Sequence, residues 1–154
     1  MRQANPEITG IPSLWDDAVP VPPYPTYSLQ RDADGNLLRD ADLKFIPDWK
    51  ENLIFRQMVR QNAEGNPAYQ AMQKMFCKSS ILYFCNVFCW TYDPRLDQPH
   101  IPFVTFPFQD DDLLTWSLWL IKNHETGLIE KSRDMGLTWC MEVVSAYMTL
   151  FFPG

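Results

Sequence analysis

The spacing of apolar and polar residues changes character near Trp49. Upstream, prolines recur at Pro6, Pro12, Pro20, Pro22, Pro23, Pro25 and Pro47. Proline fixes φ and is barred from helix interiors. Residues 1–47, and "VPVPPYP" above all, therefore predict an extended arm that either trails as a linker or lies across the body. "DADGN" at Asp32–Asn36 reads as a turn within it. From Trp49 on, helical intervals take over. "WKENLIFRQMVRQNAEG" sets Leu53, Ile54, Met58 and Gln61 on one stripe and stops at Gly65. "NPAYQAMQKMFCKSSILYFCN" opens on Asn66 as a cap, with Pro67 at the first helical position. Met72, Met75, Phe76 and Cys77 line its apolar face. The two segments predict an αα-hairpin whose second helix breaks near Ser79–Ser80.

The period then shortens. "NVFCWTYDPR" favours a strand through Val87, Phe88, Trp90, Thr91 and Tyr92, closed by a turn at Asp93-Pro94. "HIPFVTFPFQ" is a second β-prone run, and Pro102 and Pro107 suit it to a sheet edge. "DDDLLTWSLWLIKNHETG" predicts a helix capped by Asp110 or Asp111 and stopped at Gly127. Its acidic residues sit at the positive end of the helix dipole. "LIEK", Leu128–Lys131, is a short strand candidate. A last helix begins near Leu137 or Thr138 and runs to Pro153; it is so uniformly apolar that burial on most sides is expected. No internal repeat is visible.

The join between those last two elements, "IEKSRDMGLTW", admits two readings. One is an ordinary strand–turn–helix junction. The other is a phosphate loop with its lysine moved. A standard loop, G-x-x-x-x-G-K-[ST], cradles phosphates on backbone amides, neutralises them with lysine and holds Mg²⁺ on the hydroxyl. With Gly136 as the second glycine, Thr138 takes the Mg²⁺ position, Leu137 the lysine position and Lys131 the first glycine. Amides, positive charge (Lys131 and Arg133) and one hydroxyl are all retained. Upstream, "FPFQDDD" offers Gln109, whose amide both donates and accepts and so can read an adenine edge, beside aromatic rings able to stack on the base.

Composition narrows the field. The chain has 154 residues, enough for one domain with a real core, and six Trp, six Tyr and ten Phe to fill it. A net charge of -6 argues against this segment alone gripping a DNA backbone. The N-terminus lacks an apolar signal core, and no run approaches the roughly 18 apolar residues of a membrane span. A cytoplasmic chain is expected. Its cysteines, Cys77, Cys85, Cys89 and Cys140, are then reduced thiols. Cys85 and Cys89 share a helix face, and a metal site with Cys77 and His100 can be drawn. The spacing matches no paired ligand motif, and small core residues are the simpler expectation.

Taken together, "NVFCWTYDPR", "IPFVTFPFQ" and "IEKSRDMGLTW" resemble the ATPase region of tailed-phage terminase large subunits, the motors that package viral DNA. That family carries an adenine-reading glutamine motif and a deviant phosphate loop, often K-S-R-x-x-G-x-[ST]. The likeness covers roughly residues 50–152. It implies an α/β architecture: the arm over 1–47, then, over 48–154, a helical pair and the start of a P-loop NTPase fold, strand–phosphate loop–helix. It implies ATP and Mg²⁺ as cofactors. Phe108 and Gln109 would hold adenine, and Lys131, Ser132, Arg133, Asp134, Met135, Gly136, Leu137 and Thr138 the phosphates. Lys131 and Arg133 would be the catalytic cations and Thr138 the Mg²⁺ ligand. The family's partners are double-stranded viral DNA, the portal protein, the small terminase subunit and other large subunits, met in the host cytoplasm and away from membranes. The family's acidic Asp-Glu strand, which holds Mg²⁺ and activates water, does not occur within the 154 residues, and neither does its nuclease domain. Asp110–Asp112 are expected to be cap and dipole partners, not a metal cluster. A helicase-like P-loop ATPase and a truncated, non-catalytic interaction module are the alternative readings.

Overall fold

The computed structural model describes residues 18–29, 45–47, 49–131 and 135–152. The expected turn at Asp32–Asn36, the loop residues Ser132, Arg133 and Asp134, and Pro153 lie outside them. Two short strands, β1 (Tyr27–Leu29) and β2 (Phe45–Pro47), pair antiparallel. Helices α1 (Trp49–Ala63), α2 (Pro67–Ser79) and α3 (Ile81–Phe88) follow. A second antiparallel pair comprises β3 (Trp90–Tyr92) and β4 (His100–Pro102), with Thr91 opposite Ile101. One continuous helical run then comprises α4 (Pro107–Gln109), a π-helical segment (Asp110–Thr115) and α5 (Trp116–Asn123). The chain closes with α6 (Leu137–Phe151). The domain is mostly helical, with two two-stranded antiparallel sheets among the described residues.

Local chemistry explains most of these boundaries. Asn66 accepts the Tyr69 amide at 3.1 Å with Pro67 behind it, the expected start of α2. Ser80 ends α2 and caps α3, accepting the Tyr83 amide at 3.1 Å, so the break falls where the two serines predicted it. Val87 and Phe88, expected in a strand, complete α3 instead. The apolar run there is buried on the helix's inner side, which periodicity cannot tell from a buried strand. The helical run after β4 begins at Pro107, three residues ahead of the expected acidic cap, because proline at the first position needs no amide partner. It stops not at Gly127 but at His124, which adopts the left-handed conformation (φ 54°). Gly127 is required for another reason: a Cβ there would lie 2.3 Å from the Trp116 ring.

The core lies where α3, the π-helical segment and α6 meet. Tyr83, Tyr147, Ile81, Leu114, Cys85 and Cys140 are its most deeply buried side chains. Tyr83 donates its hydroxyl to Gln73 Oε1 at 2.7 Å and Tyr147 to the Lys78 carbonyl at 2.5 Å, so both rings are buried with their polar tips satisfied. Residues 18–26, the described part of the proline-rich arm ahead of β1, lie as a strap across this body. The Val19 amide donates to Ser79 Oγ at 3.0 Å, Tyr24 packs edge-on to Tyr83 at 5.3 Å, and the Pro25 carbonyl accepts from Asn52 at 2.8 Å.

Three expectations about faces need correction. In α1 the stripe Leu53, Ile54 and Met58 is exposed, and the buried side is Asn52, Arg56 and Val59. In α2, Met72 and Met75 are exposed while Gln73 and Cys77 are buried. Helix α6 buries only one stripe, Cys140, Val143, Val144 and Tyr147, and leaves Trp139 and Leu150 in the open. Periodicity located the helices correctly, but hydrogen bonding to distant carbonyls chose the buried side of α1. No strand forms at Leu128–Lys131 either: a ladder needs a partner, and none lies beside it among the described residues. Leu128 is 91% exposed there.

Candidate nucleotide site

The site begins where Phe106 leaves the irregular stretch after β4 and Pro107 starts the helical run. Gln109, in its first turn, is 5% exposed. Its Oε1 turns back to accept the Phe106 amide at 3.0 Å, satisfying one of the orphan donors at the helix start. Its Nε2 donates across the molecule to the Met135 carbonyl at 3.1 Å. The next residue, Gly136, is left-handed (φ 73°), and a Cβ on it would sit 2.5 Å from that same Nε2. Glycine is therefore required twice, for its backbone angle and for the close approach of the amide.

The structure thus brings Gln109, Met135 and Gly136 into one cluster and carries the chain from it directly into α6. The N-cap of α6 is Gly136, which has no side chain to cap the helix's first amides. Thr138 is exposed in the first turn. Lys131 is exposed ahead of the loop, and Leu137 packs its side chain against the core. Phe108 is half-buried against the core and stacks on Phe106, centroids 5.9 Å apart and planes 9° apart. Ser132, Arg133 and Asp134 belong to the part of the loop outside the described residues. The Gln109 amide, expected to face a base, holds two protein groups here, and a base would have to displace at least one of them.

Behind this cluster runs a buried polar network that no motif announced. Asn52 donates to the Pro25 and Asn86 carbonyls at 2.8 and 2.9 Å and accepts Arg56 Nε at 2.6 Å. Arg56 Nη2 donates to the Asn86 carbonyl at 2.7 Å. The Asn86 amide donates to Thr105 Oγ1 at 2.9 Å and accepts the Thr105 amide at 3.0 Å. Thr105 Oγ1 in turn donates to Asp110. Asp110 is accordingly no cap or dipole partner. It is a largely buried acid, and burial pushes its carboxyl up to about 7; the Thr105 hydrogen bond opposes this and Asp111 adds to it. The links that join Pro25, Asn52, Arg56, Asn86 and Thr105 across elements span 19 to 34 positions of the chain, beyond the reach of any local pattern. The only hint was the placement of polar Asn52 and Arg56 one helical turn apart. Asp110 also opens the π-helical segment, where the Trp116 amide reaches back five residues to the Asp111 carbonyl. Such widened turns recur at functional sites.

Among the described residues no three His, Cys, Asp or Glu side chains form a group able to hold a metal ion. No helix among them is long and apolar enough to cross a membrane. Compared with protein-family models, curated proteins and solved structures, the chain matches none of them.

Proposed function

We propose that the chain is the N-terminal part of a terminase-like packaging ATPase, with Gln109 and the Lys131–Thr138 loop forming its nucleotide site. The observation that supports this is the meeting of Gln109 with Met135 and Gly136. The glutamine motif and the deviant phosphate loop lie 26 residues apart and share one place. The first amides of α6, the Thr138 hydroxyl and the cations Lys131 and Arg133 would supply what a triphosphate and its Mg²⁺ need. Gln109 would read the adenine edge by exchanging its hold on Met135 for the base, so that occupancy of the base site loosens the loop. In the intact motor this site would drive double-stranded DNA through the portal, alongside the small subunit and further large subunits. The strand–loop–helix unit would then be completed by a sheet that receives residues 128–131.

The test is nucleotide binding by titration of a fluorescent ATP analogue with Mg²⁺, comparing wild type with Lys131→Ala, Arg133→Ala and Thr138→Ala. A charged hydrogen bond to phosphate contributes roughly 1.5–3 kcal/mol, so losing the principal cation should weaken binding about tenfold to a hundredfold. Unchanged affinity in all three variants, or no binding by the wild type, would remove the assignment. Turnover by the chain alone is expected to stay at background, because the acidic residues that position Mg²⁺ and water are not within it.

A second reading has its own support. Gln109 is buried with both ends of its amide engaged, which suits a purely structural clip, and α1 and α2 present Leu53, Ile54, Met58, Met72 and Met75 to solvent. On that reading the chain is an interaction module. It predicts no ATP binding and a stability loss in Gln109→Ala.

A further inference from the structure

The turn that carries Gln109 is tied down by side chains at both of its ends, and one of them is an acid. Phe106 is the N-cap residue of the helical run and has no side-chain oxygen to offer the first amides. Gln109 Oε1 takes the Phe106 amide instead, at 3.0 Å, while Gln109 Nε2 holds the Met135 carbonyl at 3.1 Å. One residue outside this clip on either side, Thr105 Oγ1 bonds to Asp110. These two positions, just before the cap and four residues past it, are where an apolar pair commonly fixes the angle at which a chain enters a helix. Here the pair is polar. It is also seated on α3, because the buried Asn86 side chain donates to Thr105 Oγ1 at 2.9 Å and accepts the Thr105 amide at 3.0 Å.

Thr105 Oγ1 has a second acceptor in range. Asn86 Oδ1 lies 3.2 Å from it, so the one hydroxyl proton can point to Asp110 or to Asn86. With Asp110 neutral, its own proton bonds to Thr105 Oγ1 and the Thr105 proton turns to Asn86, which leaves neither a charge nor an unpaired donor in the chain of bonds. With Asp110 ionised, the Thr105 proton turns to the carboxylate, but one such bond replaces the water that a charge otherwise gathers. The exposed Asp111 and Asp112 follow directly, so the way to solvent is short. We propose that Asp110 is a proton-controlled latch on the Gln109 clip: neutral, it keeps the first turn of the helical run seated on Asn86 and Met135; ionised, it draws that turn toward water and releases the junction ahead of α6. Gln109 leaves with Asp110 because the two are neighbours in one turn. This device stands on the clip geometry and not on the nucleotide reading.

Burial pushes the Asp110 carboxyl up to about 7, against the Thr105 bond and with the help of Asp111. The other titratable groups facing it are Cys85 from α3 and Cys140 from α6, thiols that burial keeps protonated. Opening rehydrates Asp110 and returns it toward its ordinary 3.8, so between those values the open state binds fewer protons than the closed one. Raising the pH across that window therefore favours opening.

The experiment is amide hydrogen exchange of the folded chain from pH 5 to 8, each rate divided by its intrinsic rate at that pH. The Phe106 amide reports the clip, and the amide of the buried Tyr147 in α6 reports global unfolding. Protection at Phe106 should fall by roughly fivefold to tenfold per pH unit between pH 5 and 7 and level off above. Low urea should leave the Phe106 rate unchanged while speeding that of Tyr147, because a local opening exposes little surface. Asp110→Asn should flatten the pH profile. Thr105→Val, which removes the hydroxyl and keeps the shape, should lower Phe106 protection at pH 5, and Thr105→Ser should restore most of it. A flat wild-type profile, the same slope in Asp110→Asn, or a Phe106 amide that opens only together with Tyr147 overturns the proposal. The wild-type profile and its urea dependence decide even where a variant fails to fold. The nucleotide titration is independent of this outcome.

Discussion

Helices α1 and α6 are each fifteen residues long, yet they are held to the body by opposite means. Helix α6 turns Cys140, Val143, Val144 and Tyr147 inward and is anchored by apolar area. Helix α1 turns Asn52 and Arg56 inward, leaves Leu53, Ile54 and Met58 outside, and is anchored by hydrogen bonds to carbonyls of the strap and of α3. Apolar anchoring is non-directional and tolerates small shifts. Polar anchoring demands that every donor find its acceptor, so it fixes one arrangement and fails abruptly when a member is lost. The lesson is that the apolar stripe of an amphipathic helix need not be its buried stripe.

The most severe way to break the comparison is on the apolar side. Tyr147→Ala should cost about 3–5 kcal/mol, by loss of a fully buried ring against Phe84 and Phe151 and of the hydroxyl's bond to Lys78. Urea unfolding measures it, and a loss below about 1 kcal/mol would mean that the core lies elsewhere.

On the polar side, Asn52→Ala should cost roughly 2–4 kcal/mol, since it strips partners from Arg56 and from the Pro25 and Asn86 carbonyls at once. The strap should loosen with it, which hydrogen exchange at the Val19 amide would report. Leu53→Ala should do neither, although a reading of periodicity ranks Leu53 above Asn52.

Asp110 distinguishes the two sides by pH. Its folded pKa, about 7, lies above its ordinary 3.8, so between those values the unfolded chain gives up a proton that the folded chain keeps. Stability should therefore fall as pH rises from about 4 to 7 and stay level above that. Asp110→Asn should remove this slope and gain on the order of 2–3 kcal/mol at pH 8, provided the amide keeps the Thr105 bond. A slope of the same size in the variant would place the titrating group elsewhere.

The smallest effect sharpens the picture on the exposed stripe. Leu53→Ser with Met58→Ser should change stability by less than about 1 kcal/mol, because both residues lie on the exposed side of α1, 42% and 45% exposed. If the double variant is instead destabilised by several kcal/mol, the buried and exposed sides of α1 have been exchanged.

Much of this was legible in the residues alone. Proline spacing set the non-helical course of residues 18–26, and Asn66-Pro67 and Ser79-Ser80 set the helix ends, because caps and φ restrictions act within a few residues. The glycine at 136 and the helix after it were likewise local. Tertiary structure alone decided which face of α1 is buried, that Asp110 is a largely buried acid and not a cap, that residues 128–131 have no strand partner among the described residues, and that Gln109 reaches Met135. Each of these depends on a group brought from a distant part of the chain. Desolvation and hydrogen bonding act on what is adjacent in space, and local periodicity carries no record of that.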